Sequence, residues 1–151
     1  MQEARKFADE ALAAIRETGL TFIGPTIMAV CAALIDEDDD RIHLLREAES
    51  ILDTGCVAHN HLWFAEIAID DAASRQEWQL VSRHADRLER YTESQPLEWS
   101  NFIIRCARAL VSANQGDKGE ATVAELHALK EQAEMSGLMT ALPALERALS
   151  R

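Results

Sequence analysis

A short junction that recurs along the chain constrains the fold more than any other feature of the sequence. Each junction is a polar stretch that carries Gly or Pro, and the four junctions centre on Gly19, Gly55, Pro96 and Gly137. They lie 36, 41 and 41 residues apart. Repeats of roughly 20–50 residues are typical of helical solenoids and related arrays. The sequence therefore predicts a helix, loop, helix unit repeated four times.

The composition favours helices throughout. Strong helix formers (Ala, Leu, Glu, Lys, Arg, Gln and Met) account for 83 of the 151 residues, whereas Val, Ile and Thr supply 22. We place eight helices near residues 3–18, 25–35, 40–54, 60–74, 77–93, 98–114, 119–136 and 142–150. The predicted fold is all-α, a tetratricopeptide-like α-solenoid of about four antiparallel helix pairs. A closed up-and-down helical bundle is the alternative.

Apolar residues at steps of three and four indicate which faces are buried. In the fifth helix the stripe is Trp78, Val81, Ala85, Leu88 and Thr92. In the sixth it is Phe102, Cys106, Ala109, Leu110 and Ala113. In the first it is Ala4, Phe7, Ala11 and Ile15. We expect each stripe to face a neighbouring helix.

Charge and targeting signals narrow the functional class. The formal net charge of −11 disfavours nucleic-acid and anionic membrane partners, because both carry negative charge. No apolar run approaches the roughly 20 residues that span a bilayer, and the amino terminus lacks a signal-peptide pattern. We expect a cytoplasmic protein in which Cys31, Cys56 and Cys106 are reduced thiols.

The segment "GCVAHNHLWF", residues 55–64, holds the main candidate site. Cys56, His59 and His61 are weak candidates for metal ligands, but a fourth ligand is missing at a paired spacing. His59, Asn60 and His61 are also candidate binding residues. The competing interpretation is structural: Asn60 caps the fourth helix, the histidines fill a junction, and Trp63 and Phe64 pack in the core.

A basic stripe on the fifth and sixth helices is a second candidate surface. It consists of Arg83, Arg87, Arg90, Arg105 and Arg108. Such a stripe suits an acidic peptide, although Asp86 precedes Arg90 by four residues, the favourable order for a local ion pair. We favour a solvated, locally neutralised face. Trp99 lies in the polar context "PLEWSN" and is the tryptophan that we expect to be partly exposed.

Motifs of catalysis and cofactor binding are missing from the sequence. It contains no phosphate-binding loop, dinucleotide fingerprint, zinc-protease pair or nucleophile elbow. We therefore assign no catalytic residue and no cofactor, and predict that the segment is not an enzyme.

The strings "RETGLTFIGPTIMA", "GCVAHNHLWFAEIAIDDA" and "PLEWSNFIIRCARAL" resemble the carboxyl-terminal tetratricopeptide-like region of bacterial adenylate/guanylate cyclase-type proteins. In that family a cyclase domain and an ATPase module precede the repeats. From the length and the repeats we expect residues 1–151 to form a single helical-repeat domain, and from the lack of polar capping segments at its ends we expect a fragment of a longer protein. The resemblance implies a protein-interaction or regulatory module that relays signals to those catalytic domains. Its partner would be a peptide segment or another domain of the same polypeptide, and oligomerisation stays open. The alternative function is a metal- or ligand-sensing domain built on Cys56, His59 and His61.

Overall fold

The computed structural model describes residues 2–150 and is all-α over that range, which confirms the predicted fold class. Its helices are α1 (Gln2–Thr18), α2 (Gly24–Ala33), α3 (Asp38–Thr54), α4 (His59–Ser74), α5 (Trp78–Thr92), α6 (Glu98–Asn114), α7 (Glu120–Ser136) and α8 (Leu142–Leu149). A short 3₁₀ turn, Met139–Ala141, precedes α8. The number of α-helices is as predicted, and most boundaries differ from the prediction by no more than two residues.

The chain divides into two compact units, with the boundary between Ala68 and Ile69 inside α4. In the first unit α2 packs against both α1 and α3. In the second unit α5 packs against α6, α6 against α7, and α8 against both α6 and α7. Within each unit, these packed pairs are mostly helices that follow one another in sequence, as in a solenoid or an up-and-down bundle.

The core of the first unit is built from α2, α3 and the part of α4 up to Ala68, together with Ile15 near the end of α1. Its fully buried side chains include Met28, Ala32, Ala48 and Phe64. The predicted face of α1 is confirmed at Ile15, which is buried, but wrong at Phe7, which is 60% exposed; Ala8 and Leu12 pack against the core in its place. Both stripes have helical spacing and both end at Ile15, so periodicity alone could not separate them.

The core of the second unit follows the predicted stripes closely. Val81, Ala85 and Leu88 of α5 are buried, and Thr92 continues the stripe with its hydroxyl donating to the Leu88 carbonyl at 3.0 Å. Trp78, at the start of the stripe, is half-buried. In α6 the predicted side chains Phe102, Cys106, Ala109 and Leu110 are all buried. Ala113, the last residue of the predicted α6 stripe, is half-buried. Both stripes are therefore buried along most of their length, as predicted.

Three helices that end in the second unit finish in the same way. Gly116, Gly137 and Gln76 follow α6, α7 and α4 in left-handed conformation, with φ of 95°, 71° and 62°. The amide after each bonds back five residues, for example from Glu77 to the Ala72 carbonyl at 2.9 Å. This is the Schellman arrangement, in which glycine is favoured because a Cβ strains that backbone. Gln76 is therefore the unusual member of the three.

Two further expectations concern the cysteines and the membrane. None of Cys31, Cys56 and Cys106 forms a disulfide, and burial raises the pKa of the Cys106 thiol to about 12. None of the helices that the structure describes is long and apolar enough to cross a bilayer.

Candidate protein-binding surface

Asn60 lies near the start of α4, where it is fully buried and uses every hydrogen-bonding position of its side chain. Its Nδ2 donates to the carbonyl oxygens of Phe22 at 2.8 Å and Val57 at 3.2 Å. Its Oδ1 accepts from the Thr26 hydroxyl at 3.0 Å and the Thr26 amide at 3.4 Å. An amide side chain offers two donors and two acceptors, so no capacity is left for a ligand.

These bonds give Asn60 a different task from the predicted one. We expected its side chain to cap α4, but α4 begins one residue earlier, at His59. The Oδ1 atom instead caps the first turn of α2, and the Nδ2 atom joins the two loops that precede α2 and α4. A backbone bond from the Val57 amide to the Thr21 carbonyl, at 3.1 Å, joins the same loops. Two segments far apart in sequence are thereby locked together.

Three aromatic rings lie directly above this locked region. The rings of Phe22 and His59 meet edge to face, with centroids 5.8 Å apart. The rings of His59 and Trp63, one turn apart on α4, are tilted by 44° with centroids 4.8 Å apart. His59 is half-buried, and its Nε2 atom is buried with no hydrogen-bond partner within residues 2–150. The His59 ring thus contacts two rings that are more exposed than it is.

The exposure of these rings corrects the structural interpretation of the segment. Trp63, which we expected in the core, is 46% exposed, and Phe22 is 66% exposed. Val57, whose carbonyl bonds to Asn60, is 43% exposed. Phe64 alone of the predicted aromatic pair is in the core. We call Phe22, Val57, His59 and Trp63 the aromatic surface.

The candidate metal ligands are not brought together. Among the residues that the structure describes, no group of three His, Cys, Asp or Glu side chains is placed to hold a metal ion. His59 and His61 are two residues apart on α4, so their side chains leave the helix in nearly opposite directions. His61 and Cys56 are each half-buried and each contacts other groups. The ring of His59 packs against aromatic neighbours instead.

The two α6 arginines of the basic stripe are held by carboxylates of neighbouring helices. Arg108 donates to both carboxylate oxygens of Glu89 on α5, at 2.9 and 2.5 Å. Arg105 donates to Glu125 on α7 at 2.8 Å. The hydrogen bond from Arg108 holds the pKa of the Glu89 carboxyl below its ordinary value, and it raises the pKa of Arg108. These guanidinium groups are therefore neutralised locally.

The remaining predicted residues are spread along the second unit. Arg83 and Arg90 of α5 are exposed and Arg87 is half-buried. The predicted pairing of Asp86 with Arg90 is wrong, because Asp86 approaches Arg108 at 3.5 Å. Trp99 is half-buried, which agrees with its predicted partial exposure. Local neutralisation of the stripe is thus confirmed for Arg105 and Arg108, although the partners lie on other helices.

Phe22 and Val57 are the residues that sequence reasoning missed. Both occur in the junctions between predicted helices, where helical periodicity carries no information about burial. The composition of the junctions did carry a signal. Apolar side chains in a polar, Gly-containing loop are not part of a buried helical face, so they could have been identified as candidates for exposure. Their meeting depends on Asn60, which is a long-range contact and is not visible in local sequence.

Comparisons of this chain with protein families, with curated proteins and with solved structures find no match in any of the three.

Proposed function

We propose that the chain is a protein-interaction module and that the aromatic surface is where its partner docks. The observation that carries the proposal is the exposure of two large rings, Phe22 and Trp63, above a backbone fixed by the buried Asn60. Exposed aromatic side chains supply much of the binding free energy at protein interfaces. Scattered single apolar residues need no explanation, but a contiguous group does.

Preorganisation adds to the case. Asn60 bonds to the carbonyls of Phe22 and Val57, so the backbone that carries both exposed side chains is already ordered before a partner arrives. The Phe22 and Trp63 rings are further restrained by contact with His59. Ordering flexible side chains and loops opposes association, so a surface that is already ordered binds more tightly for the same area.

The nature of the partner follows from the resemblance noted in the sequence. A cyclase-type parent protein would supply cyclase and ATPase domains as natural recipients of a signal. We therefore propose a regulatory role in which the aromatic surface holds a segment of a partner protein or of such a domain. The absence of a catalytic motif in the sequence supports a binding role over an enzymatic one.

The basic stripe is the weaker candidate for docking. Arg105 and Arg108 already bond to Glu125 and Glu89, so an acidic partner would have to displace these carboxylates. Each replacement exchanges one ion pair for another, which leaves little net gain. The aromatic surface requires no such exchange.

Photo-crosslinking tests the proposal. A p-benzoylphenylalanine placed at Phe22 should capture a partner protein in the cells that express the chain. The same probe placed at Phe7 is the matched control, because Phe7 is also a phenylalanine of the first unit and is 60% exposed. A defined adduct at position 22 and none at position 7 is the expected result. Equal labelling at the two positions, or none at position 22, would contradict the proposal.

A further inference from the structure

The aromatic surface lies in a strongly acidic part of the chain. Residues 1–68 carry 13 acidic and five basic side chains, whereas residues 69–151 carry 13 acidic and ten basic ones. The two stretches that build the surface are more extreme still. Neither residues 17–40 nor residues 47–68 contain a lysine or arginine. The field of the first unit therefore attracts cations, and the rings have no cationic side chain from their own segments.

The ring geometry suits a cationic group. The rings of Phe22 and Trp63 both contact the ring of His59, with centroids 5.8 and 4.8 Å from it, and both are more exposed than His59. The faces of aromatic rings are electronegative, and a Lys or Arg side chain is attracted to them, most strongly by Trp. The aliphatic stem of such a side chain can also cover apolar surface such as Val57.

We propose that the occupant of the aromatic surface is a protein segment that places a lysine or arginine side chain against the exposed rings of Phe22 and Trp63. This inference rests on the proposed function and specifies the chemistry of the partner. The two contributions act together: the acidic field of the first unit concentrates basic segments near the surface, and the rings then select a cation with an apolar stem. The same field disfavours an acidic segment.

A pair of small probes separates the charge from the apolar contact. One is N-acetyl-Nε-trimethyllysine methylamide, whose cation cannot donate a hydrogen bond from its head group and therefore reports on the ring faces. The other is its neutral isostere, with a tert-butyl group in place of trimethylammonium. Both are titrated into the full chain while the ring resonances of Phe22 and Trp63 are followed by NMR.

We expect the cation to bind about two- to fivefold more tightly than the isostere, with shifts confined to the aromatic surface. Trp63→Leu should abolish this preference, and Phe7→Leu should leave it intact. Equal affinity of the two probes, tighter binding of the isostere, or no shift of either ring would overturn the inference.

A second copy of the chain is the remaining occupant of the aromatic surface to exclude. Sedimentation across a range of protein concentrations should give one species for the parent chain and for Trp63→Leu. A dimer that Trp63→Leu dissociates would assign the surface to a second copy and overturn the inference. The crosslinking experiment and the probe titration can fail independently. If a partner is captured at position 22 but the two probes bind equally, the proposed docking role stands and the proposal of a cationic side chain is wrong.

Discussion

The aromatic surface of the first unit and the basic stripe of the second are both rich in side chains that protein interfaces favour, but the structure uses them differently. Phe22 and Trp63 are exposed, and the hydrogen bonds of Asn60 fix the backbone beneath them without covering the rings. Arg105 and Arg108 are also at the surface, but Glu125 and Glu89 occupy their guanidinium groups. A side chain at the surface is therefore available to a partner only where neighbouring side chains have not already bonded to it.

We expect the largest loss of stability when Asn60, which holds the backbone beneath the aromatic surface, is replaced. Asn60→Ala leaves the carbonyls of Phe22 and Val57 without this donor, so we expect a loss of about 2–3 kcal/mol in the free energy of unfolding. Urea denaturation measures it. Asn60→Asp should cost nearly as much, because a carboxylate keeps the acceptor but not the two donors.

Asn101→Ala is the matched control, since Asn101 is exposed on α6. It should change the free energy of unfolding by less than about 0.5 kcal/mol. An Asn60→Ala variant that is as stable as this control would remove the basis for a preorganised surface.

A smaller effect is expected at the helix ends of the second unit. Gly137 is left-handed and a Cβ there meets no atom within 4 Å, so Gly137→Ala should cost about 1 kcal/mol through backbone strain alone. The reciprocal change, Gln76→Gly, relieves the same strain in the folded state but raises the conformational entropy of the unfolded chain. The net result should be a stabilisation of about 0.5 kcal/mol. The melting temperatures of the two variants should shift in opposite directions from that of the parent chain. A loss of stability in Gln76→Gly would show that the Gln76 side chain makes a stabilising contact.

The smallest expected effect is a pH-dependent change in stability from the Glu89–Arg108 pair of the basic stripe, which the aromatic surface does not share. The pKa of Glu89 is lowered below its ordinary value of 4.5 by the hydrogen bond from Arg108, so this pair stabilises the fold above that pH. The stabilisation is lost as the pH falls through the lowered pKa. The difference in stability between the parent chain and Glu89→Gln should therefore be present at pH 7 and vanish in acid. Glu93→Gln, an exposed carboxyl near the same helix end, is the control. A Glu89→Gln difference that persists unchanged in acid would contradict the assignment.

Much of the fold follows from the sequence because helices carry their own periodicity. The stripes of α5 and α6 could be identified from residues such as Val81 and Phe102, and the junction glycines marked the ends of α1, α3 and α7. The stripe of α1 failed because two faces have equally good spacing. Gln76 could not be identified as a left-handed helix end, since glutamine rarely takes that conformation.

The candidate site was less predictable for a different reason. Asn60 and the segment around His59 were singled out, but the partners that define their roles, Phe22 and Thr26, lie more than 30 positions earlier. Side-chain hydrogen bonds of that range leave no local pattern. Likewise, the carboxylates that occupy Arg105 and Arg108 lie on other helices and not at the i, i+4 positions that sequence favours.

The central claim is that the partner docks on the aromatic surface and not on the basic stripe. The most direct test is the dissociation constant of the partner captured at position 22, measured by calorimetry for Trp63→Ala and for Arg87→Glu. We predict that Trp63→Ala weakens binding by at least about tenfold, as truncation of a buried aromatic hot spot does, while Arg87→Glu leaves the constant within about twofold. A loss of affinity in Arg87→Glu with unchanged binding by Trp63→Ala would contradict the account.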